Sequence, residues 1–179
     1  MTGEPLDDGA SSDQVGAPVH YQLRQKLVSI GDDYWIENEA GQRVFKVDGK
    51  EFHVRRTLLF EDATGAELLK IQERLLHLGD TMEIEGPGGT HVATVKKALF
   101  TPWREHWTVH RAAGPDLEVH GNVVDLEYTI AAGRQTVATI SKRWFHLQDT
   151  YGVAVEPGQD DVLLLAIAVV LDQTAHPER

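Results

Sequence analysis

The strongest constraint on the fold lies near the C-terminus. Val162-Leu163-Leu164-Leu165-Ala166-Ile167-Ala168-Val169-Val170-Leu171 is an unbroken apolar run between Asp160-Asp161 and Asp172. A helix made of such a run is apolar on every side and must be buried on every side. A buried strand is the competing reading, because periodicity does not separate the two. The run is longer than a usual strand of about five or six residues. Leu163, Leu164, Leu165, Ala166 and Ala168 are good helix formers, and Asp160 or Asp161 can cap the N-terminus. Val162, Ile167, Val169 and Val170 are β-branched and pull the other way, and Asp172 stands at the unfavourable end of the helix dipole. Helix over about 160–172 is the expectation. At ~1.5 Å per residue the run covers ~15 Å, half of a ~30 Å hydrocarbon core. It reads as the core helix of a soluble domain and not as a transmembrane segment.

The rest of the chain reads as the wall around that helix. From His20 onward, short alternating runs are punctuated by glycine. Strands are expected at 22–30, 34–37, 44–47, 52–60, 68–73, 81–85, 92–97, 106–111, 117–121, 126–130, 136–141 and 150–155, about twelve in all. Asp48-Gly49 is read as a hairpin turn. Thr81 to Glu85 alternates cleanly, with Met82 and Ile84 inward. Val92-Ala93-Thr94-Val95-Lys96-Lys97-Ala98-Leu99-Phe100 aligns with Val137-Ala138-Thr139-Ile140-Ser141-Lys142-Arg143-Trp144-Phe145, identical at five of nine positions. Fainter copies start at Leu68 and Val44, and Gly41, Gly65 and Gly89 keep a spacing of 24. Each copy is one hairpin. A propeller blade needs more residues than this period offers, and a solenoid has no place for one fully apolar helix. A barrel of hairpins does. About eight strands leave room for side chains alone, a helix is about 10–12 Å across, and an eleven-stranded can encloses one. The expected fold is therefore mainly β: a closed barrel of about twelve antiparallel strands around a buried, hydrophobic C-terminal helix.

Composition narrows the function classes. The chain has 179 residues and no cysteine. Disulfides, thiolate nucleophiles, zinc ribbons and iron–sulfur clusters are excluded. The net charge of −11 argues against nucleic acid as a partner. It weighs less against lipid, where a local basic patch is enough. Residues 1–18 are polar and small, and read as a disordered tail without the basic and apolar regions of a secretory signal. One domain is expected over 19–174, with 175–179 as a C-terminal tail. Cytoplasmic residence is expected, with peripheral contact at a membrane as its extension.

These residues carry a resemblance. Val44-Phe45-Lys46-Val47-Asp48-Gly49-Lys50, Asp62-Ala63-Thr64-Gly65-Ala66-Glu67-Leu68, Val92-Ala93-Thr94-Val95-Lys96-Lys97, and Asp149-Thr150-Tyr151-Gly152-Val153 followed by Asp160 to Gln173 resemble the LURP-one-related (LOR) family. That family shares the tubby-like fold with tubby proteins and phospholipid scramblases. The resemblance spans about residues 20–174. It implies a twelve-stranded closed barrel threaded by the C-terminal helix. It implies little about activity, because the family has no shared catalytic motif. Tubby proteins bind phosphoinositide headgroups on the barrel exterior, but no motif places their binding residues here.

The most suggestive polar constellation is basic. Lys96, Lys97 and Arg104, and Lys142 and Arg143, occupy matching places in the two repeats, at strand ends, with Trp103 and Trp144 beside them. Cations beside tryptophan at a rim suit a lipid phosphate with a ring in the headgroup layer. The plain alternative is end-of-strand lysines that prevent aggregation beside packed tryptophans. His106 and His110 share a strand face. If the Gly114 turn pairs Arg111 with Leu117, Glu118 and His120 share that face on the partner strand. Solvent-facing histidines of this kind are ordinarily just surface, so no metal site and no cofactor is expected. Gly-x-Ser-x-Gly, His-Glu-x-x-His, Gly-x-Gly-x-x-Gly and Walker A motifs are absent, and an enzyme is not expected. The expectation is a non-enzymatic binding module that meets an anionic lipid headgroup or another phosphate ligand at its basic rim. The alternative is a protein-interaction or scaffold domain using the outer barrel surface or the N-terminal tail.

Overall fold

The computed structural model describes residues 16–24, 34–49, 57–74, 81–98, 105–122, 127–142 and 150–175. Twelve strands precede one helix. They are β1 (Val19–Arg24), β2 (Tyr34–Asn38), β3 (Arg43–Gly49), β4 (Thr57–Asp62), β5 (Glu67–Glu73), β6 (Thr81–Gly86), β7 (Thr90–Lys97), β8 (Glu105–Arg111), β9 (Leu117–Asn122), β10 (Glu127–Ala132), β11 (Gln135–Ser141) and β12 (Thr150–Val155); the helix α1 spans Asp161–Ala175. Each strand pairs antiparallel with its sequence neighbours, and β1 pairs with β12 to close the barrel. Closure leaves the sheet without an edge.

Alternation decides which side chains enter the barrel. Ile36, Val47, Phe60, Ile71, Ile84, Val95, Trp107, Val119, Ile130, Ile140 and Val153 are buried from successive strands. Against them lies α1, in which every residue from Leu163 to Leu171 is buried. The helix thus satisfies its all-round apolar surface inside the sheet, as its sequence demands. The expected twelve-stranded barrel with a central helix is the observed fold.

The repeat has a structural cause. Gly41, Gly65 and Gly89 all adopt positive φ, the left-handed region in which glycine carries no steric cost. In the first two turns the residue three before glycine organises the chain. Asn38 Oδ1 accepts from the Ala40 and Gln42 amides, and Asp62 Oδ1 accepts from those of Thr64 and Ala66. The third turn replaces this residue with Gly86 and uses a 3-10 turn at Pro87–Gly89. A register shift precedes each turn, at Ile36/Glu37, Phe60/Glu61 and Ile84/Glu85. Such irregularities sharpen the local twist that closes a barrel.

Three expectations are corrected. Asp48-Gly49 is not a hairpin turn: β3 continues through it, pairing Asp48 with Leu59 and Gly49 with Leu58. Cross-strand pairing on a closed sheet outweighs the local turn preference there. β1 covers Val19–Arg24, earlier than expected, because it pairs along its length with β12. Val109, and not Arg111, faces Leu117. That two-residue difference preserves which face each side chain occupies, since the strand period is two. Residues 1–15, 25–33 and 176–179, and the expected strand start at 52–56, lie outside the described residues.

Candidate functional site: the barrel end where the helix exits

The two barrel ends are distinct. Odd-numbered strands run toward one end and even-numbered strands return. The glycine turns lie at the end where α1 begins. There Asp160 caps the helix, its Oδ1 accepting from the Leu163 amide at 3.0 Å. The Tyr21 hydroxyl donates to the Asp161 carboxylate; burial first, then this bond, raises the Tyr21 pKa.

At the opposite end α1 finishes among the ends of β7, β8, β10 and β11. Lys96 and Lys97 close β7 but point to opposite sides. Lys96 is exposed. Lys97 follows Ala93 and Val95 on the inward side; its Nζ lies 2.7 Å from Glu105 Oε1 and 5.4 Å from the Trp107 ring centroid. Trp107, fully buried on β8, meets Tyr128 of β10 edge to face at 5.5 Å. Gly121 makes room for that tyrosine: a Cβ there would lie 2.2 Å from the Tyr128 ring and 2.3 Å from the Glu127 carbonyl oxygen.

Asp172, in the last turns of α1, is 4% exposed. Its burial pushes the carboxyl pKa up to about 8, against the opposing pull of Lys142 just beyond β11. The Tyr128 pKa is also raised, by burial first and then by the charges of Glu105 and Asp172. Lys97, Glu105, Trp107, Tyr128, Asp172 and Lys142 therefore form one polar assembly over the helix end. Glu105 Oε2, Trp107 Nε1, Tyr128 OH and Asp172 Oδ1 are buried there without a hydrogen-bond partner among the described residues. Four such atoms in one place are unusual, because buried polar groups are normally satisfied.

Of the residues singled out in the sequence, Lys97 and Lys142 reach this assembly, and Lys96 sits on its outer lip. Trp103, Arg104 and Arg143, with Trp144, lie outside the described residues. Sequence reasoning missed Glu105, Trp107, Tyr128 and Asp172 as members. A signal for Asp172 was present: a carboxylate ending a run that must be buried all round is itself carried inside.

Chemically, the assembly offers cations, a carboxyl that is mostly neutral at pH 7, and indole and phenol donors. Its interior boundary is the packed helix, and Trp107, Tyr128 and Asp172 are themselves buried. No helix among the described residues is long and apolar enough to cross a membrane.

Comparison with known proteins places the chain. The LURP-one-related family profile matches residues 19–172. An uncharacterized protein of Bacillus subtilis (strain 168), YxjI, is 27% identical over 154 residues, covering 86% of this chain and 92% of that protein. Protein LURP-one-related 15 of Arabidopsis thaliana is 22% identical over 181 residues, covering 90% and 82%. The X-ray structure of a protein from Arabidopsis thaliana superposes with a TM-score of 0.66 at 19% identity, covering 88% of this chain and 91% of that one. With the family profile spanning the barrel from β1 into the last turns of its central helix, the chain belongs to the LURP-one-related family.

Proposed function

We propose that this protein is a non-enzymatic binding module that takes an anionic, phosphate-bearing ligand at the barrel end where the helix exits. The carrying observation is that Lys96, Lys97 and Lys142 stand at the ends of β7 and β11 on that same side of the barrel. A carboxyl with a pKa near 8 leaves the Lys142 charge largely unopposed by Asp172 at neutral pH. Lys97, held by Glu105, needs a competing anion to release it. Binding without chemistry is supported by the interior, which α1 fills with apolar side chains. A scaffold built on an apolar outer patch has less support. Among the described residues the exposed large hydrophobic side chain is Val19, far short of the several hundred Å² that mark a docking patch.

The test is co-sedimentation of the intact chain with neutral phosphatidylcholine vesicles and with vesicles containing phosphatidylserine or phosphoinositide, at low and physiological salt. Inorganic phosphate and a soluble inositol phosphate serve as competitors. Binding to anionic vesicles alone, weakened by salt and reduced tenfold or more in Lys96→Glu/Lys142→Glu, is expected at about 1 kcal/mol per lysine. Binding of the soluble phosphates without vesicle binding would identify a free phosphate ligand. No binding to any of these probes overturns the reading.

A further inference from the structure

At the same end of the barrel but on its outer face, β8 and β9 carry a different constellation. His106 and His120 are direct cross-strand partners. Their rings stack at 4.5 Å between centroids, with 13° between planes. His106 Nε2 contacts the Glu118 carboxylate. One ligand atom from each of His106, Glu118 and His120 lies within 4.8 Å of the other two. Among the described residues this is the group of three or more metal-ligating side chains at such a spacing. His110 pairs with Asp116 and His20 with Glu39, both outside this group.

We propose that His106, Glu118 and His120 form a site for a divalent transition-metal ion, with zinc as the best match and nickel and copper(II) as its chemical neighbours. Two imidazoles and one carboxylate are a donor set that suits these ions. Bonds of about 2.0–2.2 Å in a tetrahedral shell place ligand atoms about 3.3–3.6 Å apart. To aim both in-plane lone pairs at one ion, the two rings must turn out of their stack, which half-buried His106 and exposed His120 have room to do at the surface. The backbone is already placed, because directly opposed residues of an antiparallel pair hold their Cβ atoms about 4.5–5.5 Å apart. The wall behind is rigid: Trp107 and Val119, on the inward face between the ligands, are fully buried.

The surroundings agree. The Thr108 hydroxyl donates to Glu118 Oε2 at 3.4 Å, the kind of outer contact that orients a ligating carboxylate. The His106 and Glu118 side chains are 33% and 40% exposed, which gives an ion access and leaves the fourth position to water. The net charge of −11 favours cation approach. Metal-ligating groups bind in their deprotonated forms, so affinity for an ion falls on acidification.

Titration of the full chain with Zn2+ in a non-coordinating buffer, followed by calorimetry at pH 7.5 and pH 5.5, tests this. One ion per chain at the higher pH is expected, with weaker binding at the lower. His120→Gln and Glu118→Gln should each weaken it tenfold or more, while His110→Gln leaves it unchanged. Ni2+ added to the unmodified chain should broaden the His106 and His120 ring signals in proton NMR before those of the other histidines. That readout needs no variant to fold. Equal affinity in His120→Gln and the parent, uniform broadening across the histidines, or no stoichiometric binding at pH 7.5 overturns the proposal.

Discussion

Where the central helix begins, polar groups are matched. Asp160 caps the first turn, Tyr21 meets Asp161, and Asn38 and Asp62 close their turns through paired backbone amides. Where the helix ends, Asp172, Tyr128, Trp107 and Glu105 keep buried polar atoms without a hydrogen-bond partner among the described residues, and Lys97 and Lys142 stand beside them. Each unsatisfied buried group costs ~1–3 kcal/mol. The matched end therefore contributes stability, while the unmatched end draws on it. Local rules are broken at functional sites and compensated elsewhere. The two ends of the same helix thus differ in how their polar groups are satisfied, and the proposed binding end is the less satisfied one.

The largest effect comes from removing what the two ends share. Leu165, fully buried in the second turn of α1, cannot accept a carboxylate. Leu165→Asp loses apolar burial and adds an unpaired polar group, together about 5–10 kcal/mol, against a total stability of ~5–15 kcal/mol. Circular dichroism should show no cooperative melt. A soluble variant that melts cooperatively would break the central-helix account and, with it, the comparison of ends.

The next effect separates the ends by pH. The folded pKa of Asp172 is raised, to about 8, so the folded state holds its proton more tightly than the unfolded chain. Its contribution is fully present below the unfolded value of ~3.9 and is lost as pH rises toward 8. Asp172→Asn removes that loss. Chemical denaturation should find the variant and parent similar near pH 4, with the variant gaining up to ~1.4 kcal/mol per pH unit above it, levelling near pH 8. A pH-independent difference would mean that the carboxyl is not buried as a neutral group.

The smallest effect belongs to the matched end. Asp160→Ala removes a helix cap and should cost about 1 kcal/mol, read as a lower denaturation midpoint with an unchanged slope. Stabilisation at the exit end beside destabilisation at the start would sharpen the contrast into opposite signs for two aspartates on one helix.

Much of this architecture was legible before the fold was seen. The run from Val162 to Leu171 dictated burial on all sides, alternation marked the strands, and the 24-residue glycine spacing marked the turns. These are local or periodic properties, so they survive without knowledge of neighbours. The Asp48-Gly49 misreading shows the limit: pairing with β4 overrode a strong turn dipeptide. The candidate polar assembly was half legible. Lys97 and Lys142 stood out as charges at strand ends, but nothing local separates the inward Lys97 from the outward Lys96 except the pleat.

The sequence by itself determined a closed, all-β wall and the apolar axis it must enclose, because hydrophobic burial and strand alternation are written residue by residue. Only the tertiary structure decided that Lys97, Glu105, Tyr128, Lys142 and Asp172, drawn from β7, β8, β10, the end of β11 and α1, converge at one end of the barrel. It also decided that His106 stands opposite His120 and not two residues away. Both outcomes depend on register and closure. Those are set by the sum of many weak cross-strand contacts, so no single stretch of chain contains them.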